Sequence, residues 1–168
     1  MAIKVLITGG TIDNLEYDSE DNVPKNKKSI IPDLLKKSRI SLDYNIEEAC
    51  FKDSKFLNDA DRELILKKCI ECNEEKIIIT HGTMTMPTTA KYLGKHKLVK
   101  TIVLVGAAIP GNKKDSDALF NIGMAFASVQ FLPHGVYIAM NGRIFPWDNV
   151  RKSLDTGFFE KKNKLSPD

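Results

Sequence analysis

Two short segments of the sequence place threonines beside glycines directly after apolar runs. The first is Thr8-Gly9-Gly10-Thr11 and the second is Thr80-His81-Gly82-Thr83. Ligands of open α/β sheets bind beyond the carboxyl ends of the strands, so both segments would present hydroxyls and backbone N–H groups to a ligand. A threonine at such a place either caps a turn or, when an adjacent base or a perturbed lysine activates it, acts as a nucleophile.

The glycine pair of the first segment has a second interpretation, a tight turn that cradles a phosphate. However, the nucleotide-binding patterns Gly-x-Gly-x-x-Gly and Gly-x-x-x-x-Gly-Lys-Ser/Thr are both absent. No acidic residue follows a second strand at the position expected for a ribose contact. Taken alone, this loop is compatible with a plain turn or with a ligand site.

Short apolar runs predict the strands that position these segments. Four of them are rich in Ile and Val, which is typical of strands buried on both faces of a parallel sheet: residues 3–8, 76–80, 101–105 and 136–140. A fifth run, residues 42–50, alternates imperfectly and is expected at an edge. Asn141-Gly142 before Arg143-Ile144-Phe145 predicts a hairpin with a type I′ turn.

Helical patterns occupy the intervals, at about residues 29–38, 58–73, 86–95 and 115–129. Asn58 is expected to cap the second helix, and Pro32 fits only the first turn of the first. Strands that alternate with helices predict an α/β fold with a three-layer, mainly parallel sheet of Rossmann or flavodoxin type, closed by a C-terminal β-hairpin. We expect one domain over residues 1–157 and a polar tail over residues 158–168.

Composition and charge restrict the function. The 168 residues include 25 Lys plus Arg and 22 Asp plus Glu, a net charge of +3, and the basic residues mostly have acidic neighbours. Nucleic-acid binders concentrate cations on one face, so we expect no nucleic-acid partner. No apolar run reaches the roughly 18 residues of a membrane span, and the N-terminal apolar run is too short for a signal peptide. These features predict a soluble, cytoplasmic protein without a membrane partner.

The cysteines do not indicate a metal centre. Cys50, Cys69 and Cys72 are too few for a disulfide framework. Cys69 and Cys72 share one face of the predicted helix with Ile65, which is the spacing of core residues. A zinc site needs about four ligands, and no second pair accompanies this one. We therefore expect neither a metal nor a cofactor.

Together, the two threonine segments resemble the L-asparaginase family of the bacterial type, amidohydrolases with threonine nucleophiles. The resemblance rests on Thr-Gly-Gly-Thr-Ile after the first strand and Thr-His-Gly-Thr-x-Thr-Met after the third. It covers nearly the whole chain and implies the short form of the family, which contains only the N-terminal domain. The other matching segments are Val105-Gly106-Ala107, Pro110, Ser116-Asp117, Phe120-Asn121, residues 135–141 and Val150-Arg151-Lys152.

The resemblance implies catalytic roles for four residues. Thr11 matches the primary nucleophile, and Thr83 matches the second catalytic threonine. Lys152 matches the lysine that completes the triad of Thr83, because its spacing from Met140-Asn141 fits the family pattern. Tyr17 matches a lid tyrosine that hydrogen-bonds the nucleophile. Which of the two threonines attacks the substrate is left open by the sequence.

The resemblance also implies a substrate-binding set. Ser54 falls where the family places a serine on the α-carboxylate of the substrate, although the next residue is Lys55 instead of the frequent glutamine. Gly10, Gly82 and Met84 complete the expected set. Met84 departs from the family, whose aspartate at this position belongs to the Thr–Lys–Asp triad and contacts the α-amino group. A methionine offers neither a charge nor a strong hydrogen bond to an ammonium.

Two functions are therefore open. The first is hydrolysis of L-asparagine or a related small amide to the carboxylate and ammonia, weakened because Met84 replaces the family aspartate. The alternative is a catalytically impaired, asparaginase-like protein that binds a small amino acid or dicarboxylate. By resemblance we expect a homodimer or a higher homo-oligomer, because many family members complete their site with a second domain from a neighbouring subunit.

Overall fold

The computed structural model describes residues 2–15, 24, 26 and 28–162. Six strands form the main sheet in the order β2-β1-β3-β4-β5-β6. The first five pair in parallel, and β6 pairs antiparallel with β5. The strands are β1 (Ile3–Ile7), β2 (Tyr44–Glu48), β3 (Lys76–Thr80), β4 (Thr101–Val105), β5 (Gly135–Met140) and β6 (Arg143–Pro146).

Four helices cover the two faces of this sheet and give it three layers. Helices α2 and α3 pack with Leu6 and Ile79 in one core, whereas α1 and α4 pack with Val5 and Ile78 in the other. The parallel, three-layer α/β architecture expected from the sequence is therefore confirmed. The helices are α1 (Ile31–Lys37), α2 (Asp59–Glu71), α3 (Met86–Gly94) and α4 (Ala118–Phe131).

The burial of each strand explains its sequence pattern. Every residue of β4 is buried, and its sequence is apolar apart from Thr101. In the edge strand β2, Tyr44 and Glu47 are half-buried and the other three residues are exposed. Central strands of a parallel sheet are covered on both faces, so they need apolar residues at every position, and an edge strand does not. The edge position expected for residues 42–50 is thus confirmed.

Local capping explains where the helices begin. The side chain of Asn58 accepts a hydrogen bond from the backbone N–H of Asp61, and Asp61 accepts one from Asn58, each at 3.0 Å. This reciprocal capping box starts α2 as expected. Helix α4 begins at Ala118, three residues after the predicted start at residue 115. The start is displaced because the carboxylate of Asp117 accepts hydrogen bonds from the loop that precedes it.

Two hairpins end the described chain. The β5–β6 turn has Asn141 at φ 56° and Gly142 at φ 74°, both in the left-handed region that a type I′ turn requires. A second hairpin pairs β7 (Arg151–Lys152) with β8 (Phe159–Glu160). Phe159 is 2% exposed, so the segment expected to be a polar tail from residue 158 contains a packed strand residue.

Among the described residues, neither a cluster of metal ligands nor a helix of membrane-spanning length is found. Cys69 lies in the core and Cys72 is half-buried, and both are free thiols. No group of three or more His, Cys, Asp or Glu side chains that could hold a metal ion occurs in this part of the chain. No described helix is long and apolar enough to cross a membrane.

Two glycines in helices allow a matched test of packing. A Cβ atom on Gly94, at the end of α3, would overlap the ring of Trp147, whereas a Cβ atom on Gly123 in α4 would meet no atom within 4 Å. We expect Gly94→Ala to lower the free energy of unfolding by about 1–3 kcal/mol, because overpacking forces neighbouring groups apart. Gly123→Ala should raise it by about 0.5–1 kcal/mol, since alanine loses less backbone entropy in a helix.

Urea unfolding followed by far-ultraviolet circular dichroism measures both values without relying on Trp147 itself. The packing interpretation is wrong if the two alanine variants change the stability in the same direction.

Candidate active site

The candidate site lies at the carboxyl ends of β1 and β3, which are neighbours in the sheet. The chain passes from β1 to β2 on one side and returns to β3 on the other, so the strand order reverses here. Such a switch point is where open α/β sheets bind their ligands. The first threonine loop (residues 8–11) and the second threonine loop (residues 80–83) meet at this point. The hydroxyl of Thr8 donates to the carbonyl of Thr80 at 2.7 Å.

Glycines allow the loops of the site to touch through their backbones. A Cβ atom on Gly10 would overlap the backbone nitrogen of Gly82, and one on Gly82 would lie 2.6 Å from Oγ of Ser54. Gly10 also has φ 88°, a conformation that residues with a side chain rarely adopt. The two glycines therefore bring the threonine loops and the Ser54 segment into direct contact.

A lysine from a distant hairpin reaches the second threonine loop. Nζ of Lys152 donates a hydrogen bond to Oγ1 of Thr83 at 2.8 Å, across 69 positions of the sequence. Thr83 is 8% exposed. Lys152 lies on β7, which pairs with β8, and the backbone N–H of Phe159 in β8 donates to the side chain of Asn141 at 2.9 Å. The β5–β6 turn thus holds the hairpin that carries the lysine.

A cavity of about 300 Å³ opens beside this lysine–threonine pair, and we call it the first cavity. Six of the residues expected from the sequence border it: Thr11, Ser54, Gly82, Thr83, Met84 and Lys152. Gly10 lies directly behind Gly82, and Tyr17 is outside the described residues. The remaining bordering residues are Asp53, Ala108, Met140, Asn141, Thr156, Gly157 and Phe158.

Ser54 is fixed by Thr85, the residue that follows Met84. The hydroxyl of Thr85 donates to the carbonyl of Ser54 at 2.8 Å, and the backbone N–H of Thr85 donates to Oγ of Ser54 at 3.4 Å. Because Oγ of Ser54 accepts in this contact, its own proton is left for a ligand oxygen. Ser54 begins a 3₁₀ turn (Ser54–Phe56) whose cap is Asp53.

The loop after β4 is fixed by Asp117. Its carboxylate accepts from the backbone N–H groups of Ala108 and Ile109, each at 3.0 Å, and from the side chain of Asn121 at 2.9 Å. Asn121 also donates to the carbonyl of Gly106 at 3.0 Å. These bonds hold Ala108 at the wall of the first cavity. Sequence reasoning matched Asp117 and Asn121 to the family but assigned them no function.

Met84 occupies an exposed position at the mouth of the first cavity, with 65% of its surface accessible. The carboxylate that borders this cavity comes from Asp53 instead, and it accepts the backbone N–H of Lys55 at 3.0 Å. Among the described residues, the cavity therefore has Lys152 and Asp53 as its charged groups. The thioether of Met84 adds an apolar surface at the mouth of this cavity.

Two ionisable groups close to the threonine loops are fully buried. Nδ1 of His81 lies 2.7 Å from the carbonyl of Gly82, and burial lowers the pKa of this histidine to about 4. His81 is therefore neutral near pH 7. Asp13 accepts the backbone N–H of Ile30 at 2.6 Å, and burial raises the pKa of its carboxyl group.

The fold and the site together define an α/β domain with hydroxyl and lysine side chains at the switch point of a parallel sheet. The family model described as "Asparaginase, N-terminal" matches residues 2–161, so the chain belongs to the asparaginase family. The resemblance inferred from the threonine segments is thus confirmed.

Individual relatives agree with this assignment. A probable periplasmic L-asparaginase of Haemophilus influenzae is 31% identical over 92% of this chain and 47% of its own. The thermostable L-asparaginase of Thermococcus kodakarensis superposes with a TM-score of 0.82 at 25% identity, over 96% of this chain and 51% of its own. A probable cytoplasmic L-asparaginase of Campylobacter jejuni gives 0.78 at 29% identity, over 95% and 51%. The chain spans about half the length of these relatives, and a cytoplasmic location stays a prediction.

The buried histidine predicts a pH dependence of stability. In the unfolded chain His81 takes up a proton near its ordinary pKa of 6.5, whereas in the folded state it does so only near pH 4. Between these values the unfolded state binds more protons, so the free energy of unfolding falls as the pH falls, by up to about 3 kcal/mol. Asp13 acts in the opposite direction, because the folded state raises its pKa.

His81→Asn keeps an N–H donor near the carbonyl of Gly82 and removes the titration. The loss of stability between pH 7 and pH 4.5, measured by urea unfolding, should be about 2–3 kcal/mol smaller in this variant than in the wild type. An equal loss in both proteins would contradict the assignment of the pH dependence to His81.

Proposed function

We propose that this chain is an amidohydrolase that hydrolyses L-asparagine or a related small amide to the carboxylate and ammonia, using a threonine as nucleophile. The observation that carries the proposal is the 2.8 Å contact between Lys152 and Thr83 in a cavity that Thr11 also borders. The names of the relatives, which are L-asparaginases, support the same reaction. No cofactor takes part in the proposed chemistry.

The reaction needs a proton acceptor and an oxyanion site. A threonine hydroxyl, of Thr11 or Thr83, adds to the amide carbonyl while its proton passes to a base, and the C–N bond then breaks as the nitrogen gains a proton and leaves as ammonia. The hydrogen bond between Lys152 and Thr83 is the route by which a proton passes between these two groups. Backbone N–H groups near Gly10 and Met84 stabilise the oxyanion, and water hydrolyses the resulting ester.

Substrate binding is assigned to the Ser54 side of the first cavity. The hydroxyl of Ser54 donates to a carboxylate of the substrate, since its oxygen already accepts from Thr85. Ser54 is 1% exposed. A hydrogen bond from its hydroxyl therefore forms where there is little water, and it is stronger because the local dielectric constant is low. Gly82 contributes by leaving room, because any side chain there would fill the space next to Ser54.

Met84 favours a second candidate function, a catalytically impaired protein that binds a small amino acid or dicarboxylate. An ammonium group at the mouth of the first cavity would contact a thioether instead of a carboxylate.

For either function we propose a homodimer or higher homo-oligomer, by analogy with the family. Size-exclusion chromatography with light scattering tests this state, and a monomer at all concentrations would exclude it.

Removal of the nucleophile tests the enzymatic function. Thr11→Ala should lower ammonia release from the best amide by at least about 10²-fold, because the hydroxyl that matches the primary nucleophile is removed, while Thr11→Ser should retain part of the rate. The assay compares asparagine, glutamine and their deaminated analogues, with thermal unfolding as a control for folding. If no amide reacts and a dicarboxylate still raises Tm, the binding function is correct instead.

Conversion of Met84 to the family residue tests the cause of weak activity. Met84→Asp places a carboxylate beside Thr83 and Lys152, where it can pair with an ammonium and orient the lysine. We expect kcat/KM for asparagine to rise by at least about tenfold. Met84→Leu keeps the apolar character and should not raise it. No gain in the aspartate variant would mean that Met84 does not limit the reaction.

A further inference from the structure

Asn141 borders the first cavity, and the function proposed above gives its side chain no part in binding. It occupies the first central position of the β5–β6 turn, with φ 56°. A type I′ turn needs a positive φ there, which glycine, asparagine and aspartate adopt most readily. The turn by itself would therefore accept a glycine, and it does not account for the amide group that stands at the wall of the cavity.

One hydrogen bond fixes which way the amide of Asn141 is turned. The backbone N–H of Phe159 donates to Oδ1 of Asn141 at 2.9 Å. Because an N–H group donates only to the oxygen of an amide, Nδ2 is the end of the side chain that lies away from Phe159. Nδ2 has no hydrogen-bond partner among the described residues, and Asn141 is half-buried. The unpaired end of this side chain is therefore an N–H donor.

The same bond holds this donor on the lysine side of the first cavity. Phe159 is the register partner of Lys152 in the β7–β8 hairpin, and Lys152 donates to Thr83 at 2.8 Å. Residues paired across antiparallel strands have Cα atoms about 4.5–5.5 Å apart. The amide of Asn141 thus lies beside the pair of residues that includes the lysine, where the amide bond breaks under the proposed function. Ser54, which is assigned to the carboxylate of the substrate, belongs to a different loop.

We propose that Asn141 is a further substrate-binding residue, which recognises the oxygen of the reacting group. Its Nδ2 donates a hydrogen bond to the carbonyl oxygen of the substrate amide and, after hydrolysis, to the carboxylate that replaces the amide. A carbonyl oxygen has two lone pairs, so it accepts this bond together with one from the backbone N–H groups near Gly10 and Met84. The assignment rests on the proposed amidohydrolase function. It makes the site selective for a ligand whose reacting end presents an acceptor oxygen.

Two substitutions of Asn141 separate binding from the structural role of its side chain. Asn141→Asp keeps an oxygen that accepts from Phe159, but it replaces the N–H donor with an oxygen that repels the ligand oxygen. Asn141→Gly keeps the turn and removes the donor without adding a charge. Asn149 is the matched control, because its side-chain oxygen accepts the backbone N–H of Lys162 at 3.1 Å and it does not border the first cavity. Asn149→Asp therefore adds the same charge away from the ligand.

Succinate tests binding without turnover, since it has the two carboxylates of a hydrolysed monoamide. Its affinity is obtained from the rise of Tm with succinate concentration. We expect Asn141→Asp and Asn141→Gly to bind succinate about tenfold or more weakly than the wild type, the usual effect of one charge-assisted hydrogen bond. The loss in Asn141→Asp should persist at high ionic strength, where a general effect of charge is screened. Asn149→Asp should bind as the wild type does, and kcat/KM for asparagine should fall by about tenfold or more only in the two Asn141 variants.

Three results would overturn the assignment: wild-type affinity in Asn141→Gly, an equal loss in Asn149→Asp, or a loss in Asn141→Asp that disappears at high ionic strength. If no amide reacts but succinate binding follows the expected pattern, Asn141 binds the ligand and the hydrolase function fails. If asparagine reacts at the wild-type rate in both Asn141 variants, the hydrolase stands and the assignment is wrong. If the wild type neither releases ammonia nor binds succinate, both proposals fail.

Discussion

The site depends on the contact of three loops that no side chain separates. Gly10 and Gly82 touch through their backbones, and Gly82 touches Ser54. This contact is possible because β1 and β3 are neighbours in register, so their loops leave the sheet at the same level. A single methyl group on either glycine would move one loop away from the others. The short distances between the three loops therefore result from the strand order and from the absence of a Cβ atom at Gly10 and Gly82.

The lysine is positioned by a different route, through local hairpins at the end of the chain. The β5–β6 turn presents Asn141, whose side chain accepts from β8, and β8 pairs with the strand that carries Lys152. Phe159 anchors this unit in the core. A two-stranded ribbon is marginally stable on its own, so its geometry depends on these attachments. The lysine–threonine contact therefore joins two independently supported parts of the domain.

Sequence patterns predicted the parts of this structure that depend on residues close to one another in the sequence. Apolar runs placed the strands to within about two residues, and the Asn141-Gly142 pair predicted its turn. The start of α4 was misplaced because Asp117 bonds to Ala108, a contact between loops that periodicity does not encode. The β7–β8 ribbon was missed since its strands have two residues each. Lys152 was found from the family resemblance alone, because nothing in its local sequence distinguishes it from a surface lysine.

Under the proposed function, Met84 links the rate of reaction to the choice of substrate. A carboxylate at this position would lie at the mouth of the first cavity and would partly cancel the charge of Lys152. The thioether instead gives the mouth of the cavity an apolar, exposed surface. An ammonium group placed there has no partner in Met84, because a thioether carries no charge. Under the proposed function this residue therefore weakens the binding of an amino acid while Thr11 and Thr83 are both present, so the two threonines do not by themselves identify the substrate.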